Sequence, residues 1–536
     1  MNLVLLGFLV YLILILCVGM LTSRLIRSQA DFILGGRRLG PWVIAFSERA
    51  SGESAWLIVG LPGAALAVGF VEIWTVIGCT SGILFSWFVI AKKLRLECDR
   101  FNDLTLPDFF MNRFPEATSL LRLCASLLIT FFFTFYVAAQ ILAAGKVLDA
   151  TFPEILAGIQ EFLLKHGDII SLDWETKTIG MIIGSIIIIF YTVMGGFLAV
   201  AWTDLFQGII MIFTLVVLPV ALFFELSNQV DLQQMLNSLD MSILSVTGGK
   251  TGVAVWLAVL GGLSWGFGYM GQPHLLSRFK AIRSHKDIRK GALIATFWAV
   301  PAFWGAFLIG FFGLCLYGAE TFEDPETLMP TVTLAIMPAW LAGIMISGAV
   351  AAMMSTADSQ LLVTSSTLSE DLFHKFLHRN ASQKTLVLCS RAITLAIGIF
   401  AYYLAVKSTD LVYEMVAYAW SGLSASFGPP LLLALWWKRT NGYGVLAGMV
   451  TGAMTVIIWT TAWFSKLYIW LFFSPEVYEK VELFLNAHPD APGSVGIDPA
   501  SLMISHRISG FTVSFGLVVL VSLLTKKGKQ DAAPTV

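Results

Sequence analysis

Thirteen apolar segments take up most of this 536-residue chain, and each is long enough to cross a hydrocarbon core of about 30 Å, for which a helix needs roughly 20 residues. They lie at 3–22, 42–70, 74–91, 119–149, 177–197, 202–225, 253–273, 291–318, 335–368, 385–405, 408–436, 443–465 and 505–525. In hydrocarbon every backbone N–H and C=O must be satisfied inside the protein, which leaves only helices and closed barrels. Runs of this length are about twice what a barrel strand uses, so the fold class is an all-α polytopic membrane protein. A hydrophobic content of 57% and a mean hydropathy of +0.79 exclude the several soluble domains that length alone would suggest. The first segment starts with no basic stretch and is too long for the apolar core of a secretory leader, so it is predicted to stay as a membrane helix.

Basic residues in the loops set the expected orientation. Arg24, Arg27, Arg37 and Arg38, then Lys92, Lys93, Arg95 and Arg100, then Arg278, Lys280, Arg283, Lys286, Arg289 and Lys290 fall on one side. Lys375, Arg379 and Lys384, then Lys438 and Arg439, and the tail lysines Lys526, Lys527 and Lys529 join them. The opposite loops are acidic or mixed, as at Glu320, Glu323, Asp324 and Glu326. The amino terminus is therefore expected outside an inner or plasma membrane and the carboxyl terminus in the cytoplasm. A net charge of −1 gives no footprint for nucleic acid. The six cysteines form no CxxC pair and are expected as free thiols.

Two spans are interrupted where an ordinary membrane helix would carry leucine. Span 2 contains SERASGESAWLIVGLP, Ser47 to Pro62, with Glu48, Arg49 and Glu53 among small residues and Gly52. Span 7 contains SWGFGYMGQPH, Ser264 to His274, broken by Gly266, Gly268, Gly271 and Pro273. Broken helices at matching places of two five-helix sets predict an inverted-repeat transporter with its site at the crossing. The expected division is 1–41 as first helix and cytoplasmic loop, 42–225 and 226–437 as the two repeats, 438–525 as two added helices with a long outer loop, and 526–536 as a cytoplasmic tail.

Ionisable groups inside a span are costly enough to mark function. Arg49 and Glu53 stand at i and i+4, so a local ion pair is one reading; ion binding through the backbone carbonyls of Ala50 and Glu53 is compatible with it, and leaves the Glu53 side chain open. In span 9, AAMMSTADSQ sets Ser355, Thr356 and Ser359 on one helical face with Asp358 beside them, an oxygen-rich stripe suited to a hard cation. Asp204, at the start of span 6, is either a helix-end carboxylate or the partner of Asp358; two facing buried carboxylates require a cation or a proton between them. Among the many aromatics, Trp56 and Trp265 stand out because they flank the two breaks, while His274 reads as an interfacial residue. No nucleophile–base–acid set, phosphate-binding glycine loop or metal-ligand cluster is present in the sequence, which argues against an enzyme.

The chain resembles the sodium/solute symporter family through DFILGGRRLGPW (Asp31 to Trp42), SAWLIVGLPGA (Ser54 to Ala64), LTLPDFF (Leu104 to Phe110), GGFLAVAWTD (Gly195 to Asp204), WGFGYMGQPH (Trp265 to His274), MSTADSQLLV (Met354 to Val363) and YAWSGLSASFGP (Tyr418 to Pro429). Within the family it is most similar to the bacterial sodium/proline symporters. The resemblance implies a leucine-transporter-like five-plus-five inverted repeat with helices 2 and 7 discontinuous, and secondary active transport coupled to Na+ without an organic cofactor. It implies a first sodium site at the carbonyls of Ala50, Glu53 and Ala352 with the hydroxyls of Ser355 and Thr356. A second sodium, or a proton, would fall among Asp204, Ser355, Asp358 and Ser359. Proline, a small zwitterion, would lie between Trp56, Tyr136, Trp265 and Tyr269, with Ser54, Ala55 and Pro273 close by. One departure is Gly52, where proline symporters of this type carry an aspartate. The expectation is thus sodium-coupled import of proline by a monomer in the lipid bilayer; the alternatives are proton coupling through Asp358 and Asp204, or a transporter-like solute sensor.

Overall fold

The computed structural model describes residues 3–23, 33–101, 103–166, 175–194, 196–229, 240–472 and 503–525. Arg24, Arg27, Asp31 and the tail beginning at Lys526 lie outside the described residues, as does most of the loop expected after 465. Among the described residues the structure is helical, with one isolated bridge between Leu39 and Ile282. This is the outcome the apolar runs dictate, because a helix closes its own backbone hydrogen bonds.

Among the described residues, eleven stretches are long and apolar enough to cross a membrane. Thirteen is therefore not the count that length and apolarity give. Pro41–Phe101 is taken as one stretch of 61 residues, although Gly69, at φ 72°, ends one helix there before Ile73–Phe85 begins. Val412–Trp436, a 25-residue helix with Pro429 and Pro430 inside it, is not among the eleven.

The chain divides into two compact units that cut across the sequence halves 42–225 and 226–437. One is drawn from Met1–Gly69, Phe133–Leu239 and Ser277–Val416, the other from Phe70–Phe132, Asp240–Leu276 and Ala417–Val536.

In the first unit the span beginning at Pro41 breaks at Ser54, whose φ of 52° and ψ of −175° leave the helical region. Gly52, the residue that sequence composition singles out as weak, remains helical. A non-glycine residue in this backbone region costs about 1–3 kcal/mol and persists only where neighbours hold it. Here the hydroxyl of Ser54 accepts the Trp56 N–H at 3.1 Å, and the Gln140 Oε1 accepts the Ala55 N–H at 3.0 Å. The helix resumes through Trp56–Gly60 into Leu61–Val68. A buried carboxylate, Glu326, anchors the same unit: it accepts from the Lys146 ammonium at 2.5 Å and from the Val412 and Tyr413 N–H groups at 2.9 and 2.8 Å.

In the second unit Val253–Leu263 passes into the tighter turns of Ser264–Met270, and the next helix starts at Pro273. This broken helix lies directly on the backbone of Ile73–Phe85. A Cβ on Gly78 would stand 2.7 Å from the Gly262 carbonyl oxygen, and one on Gly82 or Gly266 would overlap the facing backbone. The pairs Gly78/Gly82 and Gly262/Gly266 are thus small-xxx-small contacts that let two helix backbones touch. Replacing Gly266 by valine is expected to destabilise the protein by about 3 kcal/mol through overpacking. The check is thermal melting of purified protein in detergent, and an unchanged midpoint would show that the contact is not close.

Candidate functional site

The break at Ser54 leaves carbonyls of the preceding turn for other partners, and Ala339–Ser366 supplies them. Ser355 Oγ lies 2.9 Å from the Ala50 carbonyl oxygen and 3.2 Å from that of Ala352, while Thr356 Oγ1 donates to the Ser51 carbonyl at 3.0 Å. Three of the five residues expected at a first sodium site, Ala50, Ala352 and Ser355, therefore meet. Thr356 is one residue along, on Ser51, and the Glu53 carbonyl accepts the Trp56 N–H.

The charged cluster of this helix resolves into an ion-paired triad. Arg49 donates from Nε to Glu48 at 2.6 Å and from its two terminal nitrogens to Glu48 and Glu53. The Glu53 carboxylate thus pairs with Arg49, as the i, i+4 spacing allows.

Beneath the hydroxyls sits a residue that sequence reasoning misplaced. Arg278 counted among the basic loop residues, yet it is fully buried. Its guanidinium donates to Asp204 at 3.1 Å, to Ser51 Oγ at 2.8 Å, to Ser47 Oγ at 3.2 Å and to Ser359 Oγ, and it faces the Phe197 ring at 5.2 Å. Asp204 Oδ2 also accepts from Ser47 at 2.6 Å and from Ser51 at 3.1 Å. Asp358 receives the Ser359 hydroxyl on Oδ1 at 3.2 Å, while its Oδ2 and Asp204 Oδ1 are buried without a hydrogen-bond partner among the described residues. Asp204, Asp358 and Ser359, expected together, do lie in one network, with Arg278, Ser47 and Ser51 as its unforeseen members. The only signal for Arg278 was its place directly after the second break, and the basic loop that follows masked it.

The aromatic residues fall two and two between the units. In the first, the Trp56 ring packs at 5.9 Å from Tyr413 and 6.2 Å from Phe303. Tyr136 is buried one helical turn before Gln140, the residue that holds the Ala55 N–H. In the second, Trp420 organises the unwound segment: its indole N–H donates to the Trp265 carbonyl at 3.1 Å, its carbonyl accepts from Gln272 Nε2 at 3.1 Å, and its ring meets Tyr269 edge-on at 4.9 Å. Gly268 is required there, since a Cβ would overlap the Trp420 ring. Arg507, on the last helix, lies over the Trp265 ring at 4.4 Å and donates to Ser264 Oγ at 3.0 Å. Pro273 starts the following helix, and His274, read from sequence as interfacial, is fully buried.

Discontinuous helices whose freed carbonyls face hydroxyls and carboxylates inside an all-helical membrane protein define a secondary transporter. The model of the sodium:solute symporter family matches residues 32–158 and 167–452. The chain belongs to that family, whose members are transporters rather than enzymes. It is 38% identical over 453 residues to the high-affinity proline transporter PutP of Bacillus subtilis (84% of this chain, 90% of the relative). It is 36% identical over 504 residues to the sodium/proline symporter of Escherichia coli (92% of each). Among solved structures, a substrate-bound, outward-open Na+-coupled sialic acid symporter aligns with a TM-score of 0.69 over 98% of this chain and 99% of that one, at 15% identity. That likeness shows the fold alone, the leucine-transporter-like one.

Proposed function

We propose that this chain is a sodium-coupled symporter that imports proline by alternating access. The observation that carries the reading is the seating of the Ser355 and Thr356 hydroxyls on the Ala50 and Ser51 carbonyls at 2.9 and 3.0 Å beside the break. All the atoms there are hard oxygens, which suits an alkali cation. The chemistry of the network supports it: Asp204 and Asp358 are fully buried, and Asp358 Oδ2 and Asp204 Oδ1 have no hydrogen-bond partner among the described residues. A cation beside these oxygens would relieve the cost of burying the carboxylates. Relatives named as proline transporters support the solute.

In this reading the first sodium is held by the carbonyls of Ala50, Glu53 and Ala352 with Ser355 and Thr356. A second cation belongs near Asp204, Asp358 and Ser359, with Arg278 as a resident positive charge. The residues that recognise proline are those the family resemblance implies. The five-helix repeats are 42–225 and 226–437, and the amino terminus is outside, the carboxyl terminus inside. One monomer in the bilayer is the working unit. Sodium bound beside the break favours the outward-open state, and its differential affinity for the two states couples the fluxes.

The test is uptake of labelled proline into proteoliposomes, with sodium and pH gradients imposed independently. Uptake is expected only with an inward sodium gradient. Uptake unchanged without sodium would refute the coupling, and dependence on pH alone would transfer it to protons. Proline binding without net uptake would make the chain a sensor.

A further inference from the structure

The buried carboxamide of Gln272 is half satisfied. Its side chain is fully buried at the junction between Ser264–Met270 and the helix that starts at Pro273. Its Nε2 donates to the Trp420 carbonyl at 3.1 Å, whereas Oε1 has no hydrogen-bond partner among the described residues. The orientation of the amide is forced. Rotated by half a turn, Oε1 would face the Trp420 carbonyl, acceptor against acceptor, and the donor would be lost. The backbone of Gln272 is equally fixed, since its carbonyl accepts the Leu275 and Leu276 N–H groups at 3.1 and 3.0 Å. A buried acceptor held in place and left unpaired is unfavourable unless a donor arrives.

The surroundings say what kind of donor fits. Gln272 stands between Tyr269 and Pro273 in the chain. The Trp420 residue that grips its amide also holds the Trp265 carbonyl and packs on Tyr269. All of these belong to one compact unit. The apolar walls supplied by the two rings suit a small hydrocarbon ring, and a neutral carboxamide oxygen suits an N–H donor carried on it.

We propose that Gln272 Oε1 is a specificity-determining contact that accepts a hydrogen bond from the secondary ammonium of proline. The inference rests on the proline reading above and deepens it by assigning the residue that recognises the amino end of the solute. Trp420 is the positioning residue, because it fixes which end of the amide is presented.

The test removes the N–H from the solute and the acceptor from the protein in turn. Tetrahydrofuran-2-carboxylate keeps the ring and the carboxylate of proline but has an ether oxygen in place of the NH2+. In wild type it is expected to compete with labelled proline about 10- to 100-fold more weakly than unlabelled proline does, as the loss of a hydrogen bond to a charged donor predicts. Equal competition would overturn the proposal, and that arm needs no variant. In Gln272→Met the KM for proline is expected to rise about 10- to 100-fold, while the inhibition constant of the furan analogue changes less than about 2-fold, so the discrimination collapses. Proline and analogue weakened alike, or neither weakened, would show that Gln272 only supports Trp420 and would overturn the contact. Sodium-driven proline uptake by wild type is read in the same assay. Its absence would sink the transport reading itself and is distinct from a preserved discrimination in the variant.

Discussion

Arg278→Leu is expected to abolish sodium-driven uptake and to cost the folded protein about 3–5 kcal/mol, the usual penalty for breaking a buried ion pair by removing one partner. The reason is the arrangement around Asp204. Its carboxylate is fully buried and takes the Arg278 guanidinium at 3.1 Å, while Ser47 and Ser51, at 2.6 and 3.1 Å, provide only neutral donors. Leucine would leave the carboxylate uncompensated and would remove the guanidinium that also binds Ser47, Ser51 and Ser359. Arg278→Lys keeps the charge but cannot reach four acceptors with a forked, planar group, so partial stability with poor uptake is expected. Arg278→Leu combined with Asp204→Leu removes both charges and is expected to regain most of the melting temperature, since an apolar pair often replaces a buried ion pair at little cost, but to regain no uptake. Melting in detergent and uptake in proteoliposomes, measured on the same preparations, separate the two effects. A single variant that melts like wild type would show that Arg278 does not neutralise Asp204.

Ser355→Ala combined with Thr356→Ala is expected to do the opposite: leave the fold and weaken sodium binding. Each hydroxyl makes one neutral hydrogen bond to a carbonyl of the broken helix, and each such bond contributes only about 1 kcal/mol. The same two oxygens are proposed sodium ligands, and their loss is expected to raise the sodium concentration for half-maximal proline uptake by about 100-fold, the upper end of what even outer-shell changes cost metal sites. A sodium titration of initial uptake rates checks this. An unchanged half-maximal concentration would move the ion away from these hydroxyls. Because the two predictions differ in which of stability and sodium affinity changes, a general loss of fold cannot mimic both.

Much of the site was legible because its chemistry is anomalous in a membrane. Serines and carboxylates inside apolar spans are visible without coordinates, and so Ser355, Thr356, Asp358, Asp204 and the break in span 2 were found. Arg278 escaped because an arginine just before a basic loop is what topology demands, whereas burial depends on where the helix after Pro273 leads it. Trp420 and Gln272 escaped for a related reason. One is a tryptophan among seventeen and the other a lone amide, and neither is anomalous until its partner is known. The position of the break shows the same limit: Gly52 has the weaker intrinsic helix propensity, but Ser54 is where Gln140 and the Ser54 hydroxyl hold the non-helical turn.

By itself the sequence determined the helical membrane fold, the two discontinuous spans and the oxygen-rich stripe, because apolar length and the cost of polar groups in lipid are properties of each segment alone. Only the tertiary structure decided which carbonyls the hydroxyls of Ser355 and Thr356 reach, that Arg49 pairs with both Glu48 and Glu53, and that Arg278 answers Asp204. Those pairings join residues separated by up to 305 positions. Buried electrostatics act over a few ångströms in space, and no periodicity along the chain records them.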